Sequence, residues 1–132
     1  MPPGSPSDVV DGGELLARFI LFSNRIRSDR SVKPDAFIPH PWPDLSVTRH
    51  IGLSEDELWE TGQQSADSQS KPLYGRADVK ASTIESQELR IVPTLTPRNH
   101  ANVTGWPPDK PSQKIIAQEI AATAEFVENP TL

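Results

Sequence analysis

The chain contains no cysteine, which excludes disulfides, thiolate nucleophiles and thiolate metal ligation. That absence agrees with a reducing compartment. Long apolar runs are missing too. The longest, Phe19 to Phe22, falls far short of the roughly 20 residues a membrane-spanning helix needs. There is no excess of basic residues: the net charge is −5 and the pI about 5.1. An acidic total argues against nucleic acid or an anionic membrane as the main partner. The first residues, Met1 to Gly13, are rich in Pro, Gly, Ser and Asp and lack the basic start of a signal peptide. The expectation is a cytoplasmic protein.

Signature motifs are also lacking. There is no Walker loop, dinucleotide glycine fingerprint, Gly-x-Ser-x-Gly elbow or EF-hand loop, so no reaction can be named from a motif. His40, His50 and His100 are widely separated and form no His-x-x-x-His pair, and neither a metal nor a cofactor is expected.

What remains is a chain of 132 residues, 35% hydrophobic and 23% charged, enough for one modest core. Residues 1–12 are expected to be a disordered tail and residues 13–132 a single globular domain. Proline is abundant, with 14 residues. Pro39, Pro41 and Pro43 surround His40 and Trp42, and Pro93, Pro97, Pro107 and Pro108 punctuate a second region. Proline removes a backbone donor, so these stretches should be extended loops or sheet edges.

Leu15, Leu16, Phe19 and Ile20 fall at helical spacing, so Glu14 to Phe22 reads as a short buried helix, with a strand from Arg18 as the alternative. Ala36 to Ile38 reads as a short strand. Leu45 to Ile51 alternates apolar and polar residues, as a half-buried strand does. Ser54 and Glu57 have capping-box spacing and open a helix of about two turns that Gly62 should stop, before a polar loop from Gln63 to Lys71. Leu73 to Val79 reads as extended, Ser82 and Glu85 as a second capping box, and Leu89 to Leu95 as a strand whose proline marks a sheet edge. Ala101 to Trp106 is another strand. Asp109 and Pro111 open the last helix, whose stripe of Ile116, Ile120, Ala124 and Val127 is widened by Ile115 and Phe126 and which ends at Asn129-Pro130. The fold expected is α+β: a small mixed or antiparallel sheet of three to five short strands, with two to four helices including an amphipathic C-terminal one.

Three polar segments are candidates for chemistry. Thr96 to Asn102 packs Arg98, Asn99, His100 and Asn102 into a loop between strands, where His100 suits acid–base work and Arg98 an anion. The same residues also suit a turn that bonds its own backbone. Arg76 and Asp78 share one face of a strand, as ligand groups or as an ion pair, and Arg49 with His50 leaves another strand. If the segments converge, Arg49, His50, Arg76, Arg98, Asn102 and the catalytic candidate His100 would form an Arg/His cleft for a phosphorylated ligand or nucleotide. Trp42 and Trp106 sit beside prolines and are candidates for a partner-binding surface. Two functions follow. The first is a small accessory protein that binds a partner protein or a second copy of itself. The second is a small metal-independent enzyme or binder acting on a phosphorylated ligand.

Overall fold

A computed structural model describes residues 9–39, 43–94 and 96–131. Six strands form one sheet: β1 (Leu15–Ile20), β2 (Leu45–Arg49), β3 (Gly75–Lys80), β4 (Arg90–Pro93), β5 (His100–Thr104) and β6 (Glu125–Glu128). Their order is β4-β5-β2-β1-β3-β6, and every pairing is antiparallel. Three helices join them: α1 (Glu55–Ser68), α2 (Ala81–Glu85) and α3 (Lys110–Thr123). The fold is therefore α+β as expected, with six strands where three to five were expected. Among the described residues no helix is long and apolar enough to cross a membrane.

The sixth strand and the first were both hidden in sequences that read as helix. β1 pairs with β2 on one side and β3 on the other, and both of its faces are covered. Leu16 and Ile20 join one core cluster, and Ala17 and Phe19 the other. A strand buried on both faces needs a nearly continuous apolar run, and such a run contains residues at helical spacing by default. At the other end, α3 stops at Thr123 and Ala124 is already extended. Glu125–Glu128 then pairs with Asp78 to Gly75. The stripe expected to run to Val127 thus breaks, and Ile115, expected to widen it, is 62% exposed. Ala117, Ile120 and Ala121 are the helix's buried residues.

Other expectations meet local corrections. The segment expected as a strand at Ala36 to Ile38 belongs to a 3-10 turn, Pro34–Phe37, which buries Ala36 and Phe37. The Ser54 capping box forms in full: Ser54 Oγ accepts from the Glu57 amide at 3.1 Å and Glu57 accepts from the Ser54 amide at 2.9 Å. The helix does not stop at Gly62, however. A side chain there would lie 2.5 Å from the Phe19 ring, so this glycine serves close approach of helix to sheet. The second capping box does not form. The amides of Ala81 and Ser82 instead donate to the backbone carbonyls of Glu14 and Gly12, which satisfies the start of α2 without a side-chain cap. Residues 1–8 of the expected N-terminal tail lie outside the described residues, and Gly12 packs against Ser82.

The helices are divided unequally between the two faces. The face carrying Leu16, Val47, Ala77 and Val103 packs in one core with Ile84 of α2 and Ile120 of α3. The other face carries Ala17 and Phe19, which pack with Leu58 and Ala66 of α1. Pleat alternation puts Thr48, His50, Arg76, Asp78 and His100 on this second face.

Candidate functional site

Strands β1 and β2 are neighbours only at Leu16–Arg49 and Ala17–Thr48. Beyond that point β1 continues along β3 alone and β2 along β5 alone. The sheet parts there, and a groove of about 540 Å³ opens between the parted strands and α1. That volume lies in the range of small-molecule sites. Thr61, Gln64, Ser65 and Ser68 line it from α1, at i, i+3, i+4 and i+7. Ser46 and Thr48 face them from β2, with Phe19 and Leu21 as apolar floor and Pro97 and His100 at the β5 side.

Arg18 borders the groove where the strands part, reaching it from the Leu16 and Ala77 face of the sheet, opposite α1. Its Nε donates to the Ala36 carbonyl at 2.8 Å and its Nη1 to the Ser46 carbonyl at 3.1 Å. These are neutral acceptors, and no carboxylate lies within ion-pair distance among the described residues. Asp44 also borders the groove but stays beyond that range. Burial, and after it the neighbouring Arg25 guanidinium, brings Arg18 down to about 10, which leaves it charged at neutral pH. Arg25 is lowered as well, by burial, with Asp35 working the other way. Its guanidinium lies 4.5 Å from the Phe22 ring, and Lys71 reaches the same ring at 4.9 Å.

His100 stands across β2 from Arg18's end of the groove, paired with Thr48. At a strand spacing of about 4.8 Å, backbone positions 17 and 100 lie about 10 Å apart. The His100 ring is half-buried, and burial holds its pKa below 6.5. Its Nδ1 lies 2.8 Å from Thr94 Oγ1.

The other basic residues singled out in the sequence do not form one cleft. Arg49 is buried with the core-facing residues of β2 and bonds Glu14 through Nε and Nη2, both at 2.8 Å. The hydrogen bonds from that guanidinium pull Glu14 below the usual carboxylate range. Arg76 donates to both Asp78 oxygens at 3.0 and 3.1 Å and to both Glu55 oxygens at 3.0 and 2.9 Å, and it stacks 4.7 Å from the Trp59 ring. Burial opposes its charge, yet Glu55 and Asp78 override that and raise Arg76 above its ordinary value. His50 Nε2 meets the same Asp78 at 2.8 Å. Arg98 lies along α1, donating to Thr61 Oγ1 at 3.1 Å, with Glu57 and Glu60 at 3.7 and 4.0 Å. The structure thus joins His50 to Arg76 through Asp78, and leaves Arg49 with Glu14 and Arg98 beside Glu57 and Glu60. Of the named residues only His100 lines the groove. Asn102 lies two residues further along β5 and outside that lining. Trp106 is half-buried against the core, with its indole N–H on the Val103 carbonyl at 3.0 Å. Trp42 and His40 lie outside the described residues.

Sequence reading missed Arg18 and the polar stripe of α1. Arg18 had a signal, as the one charge inside an apolar run. The stripe had one as well: Gln64, Ser65 and Ser68 continue the helical spacing from Thr61 into a stretch read as loop. No protein-family model, no curated protein and no solved structure matches the chain.

Proposed function

We propose that this chain binds a small phosphorylated molecule in the groove between α1 and the parted strands β1 and β2. The observation that carries this reading is Arg18. Arg49, Arg76 and Arg98 each meet a carboxylate, whereas Arg18 lines the groove held only by two backbone carbonyls. A desolvated guanidinium beside a second one favours an anion, and its planar fork matches phosphate oxygens. The hydroxyl and amide lining suits a polar body attached to that anion. The reading keeps the phosphorylated-ligand expectation but moves its cation to Arg18. A recognition surface for a partner protein draws less support, because Trp106 is turned to the core and its N–H is already bonded.

The test is a thermal-shift titration with ribose 5-phosphate and adenosine monophosphate, since binding to the folded state raises its melting temperature by mass action. Wild-type protein is expected to shift with at least one of them. Arg18→Met should lose at least tenfold in affinity, and Arg18→Lys should lose less, because it keeps the charge without the fork. The reading fails if neither compound shifts the wild type, or if a shift survives unchanged in both variants.

A further inference from the structure

We infer that His100 is fixed as a hydrogen-bond acceptor for a ligand hydroxyl, so that the groove selects a hydroxylated phosphate such as a sugar phosphate over a plain alkyl phosphate. This rests on the groove reading above and specifies the other end of the ligand.

The argument starts at Thr94. Its hydroxyl oxygen lies 3.1 Å from the Thr96 carbonyl, 3.2 Å from the His100 carbonyl and 2.8 Å from His100 Nδ1. A hydroxyl has one hydrogen, and a carbonyl oxygen can only accept. If the hydroxyl hydrogen is shared between the two carbonyls, Nδ1–H donates to Oγ1 and all three contacts contain a hydrogen. If the hydroxyl donates to Nδ1 instead, both carbonyls face the hydroxyl oxygen with no hydrogen between them. The first assignment places a hydrogen in every contact. The second sets the hydroxyl oxygen against two carbonyl oxygens, although the His100 carbonyl also accepts from the Thr94 amide at 2.9 Å, so the geometry favours the first. His100 is then the Nδ1–H tautomer, and its Nε2 carries a lone pair.

Nε2 has no partner among the described residues, and the ring lines the groove. The groups around it do not replace that lone pair. Thr48 stands opposite on β2, and Thr61 on α1 already donates to the Glu57 carbonyl. Arg98, two residues before His100, is turned to Glu57 and Thr61. The lone pair is therefore offered to whatever occupies the groove. Asp44 at the groove border is a second acceptor. A carboxylate beside a phosphate site would only repel a bare anion, but it accepts hydrogens from a sugar. Arg18 at one end and two acceptors elsewhere describe a ligand with one anionic group and several hydroxyls.

The experiment compares ribose 5-phosphate with butyl phosphate by calorimetry on the full chain. Butyl phosphate keeps the anion and has no hydroxyl. Wild type should bind ribose 5-phosphate at least tenfold tighter. Thr94→Val and His100→Phe should narrow that ratio at least fivefold. The side-chain ¹⁵N spectrum of wild type should show Nδ1 protonated and Nε2 not. Equal affinity for the two phosphates overturns the inference while leaving the Arg18 site standing. A ratio unchanged in both variants, or an Nε2–H tautomer, also overturns it. If neither phosphate binds the wild type, this inference fails, and if adenosine monophosphate does not bind either, the groove reading fails with it.

Discussion

Arg49 grips Glu14 with two parallel hydrogen bonds of 2.8 Å, and the two side chains are 2% and 7% exposed. The pair ties the end of β2 to the residue that precedes β1. Removing one partner of a buried pair strands the other charge, at a cost of roughly 3–5 kcal/mol. Glu14→Ala is therefore expected to lower the unfolding free energy by about that much, read by urea denaturation. A loss under about 1 kcal/mol would mean that the pair is as weak as an exposed one.

The same pair sets an acid limit. Glu14 is held below its ordinary 4.5 by Arg49, so the unfolded chain binds the proton more readily than the folded one. Its contribution is fully present above pH 4.5 and is lost as pH falls through the lower folded value. Glu14→Gln should flatten the stability profile below pH 4.5, relative to wild type, with little change in shape above it. Profiles of identical slope in the acid range would remove Glu14 from the explanation.

What the sequence disclosed, and what it concealed, follows from which interactions are local. The Ser54–Glu57 capping box is formed by side chains three residues apart, and it was legible. The end of the same helix depends on Phe19, which lies on another element, so Gly62 read as a stop. β1 read as a helix because burial on both faces erases the two-residue alternation. β6 was absorbed into α3 because its pairing partner, β3, lies about fifty residues away in the chain. The Arg/His cleft failed for a related reason. A sequence gives the positions of arginines but not of the carboxylates that face them, and Glu14 and Glu55 come from distant segments.

Gly62 carries a direct test. Glycine to alanine inside a helix normally gains about 1 kcal/mol. Here the added carbon would sit 2.5 Å from the Phe19 ring, which is itself packed between sheet and helix. Overpacking costs about 1–3 kcal/mol, so Gly62→Ala should be net destabilising by up to about 2 kcal/mol. A stabilised variant would show that Phe19 can move aside.

Asn99 should be the most sensitive residue of its loop. It takes a left-handed conformation at φ 61°, and its amide donates to the carbonyls of Arg49 and Ile51 at 2.9 and 2.6 Å. Asn99→Ala loses both bonds and adds a β-carbon where asparagine is better tolerated, an expected cost of about 2–3 kcal/mol. Asn99→Gly loses the bonds but relieves the backbone, so it should cost less than the alanine. The reverse order, measured by urea denaturation, would show that backbone conformation is not the issue there.

Ser65 separates groove occupancy from folding. It lies half-buried on the groove-facing stripe of α1, with its side chain lining the opening rather than the core. Ser65→Phe adds a ring where there is now space, opposite Ser46 and Thr48, and removes no carboxylate, cap or strand contact. Surface changes away from such features usually alter stability by no more than about 0.5 kcal/mol. Ribose 5-phosphate binding should therefore fall at least tenfold while the urea midpoint stays close to wild type. If the midpoint holds and binding is also unchanged, the phosphate is bound elsewhere on the molecule, and the Arg18 groove is not its site.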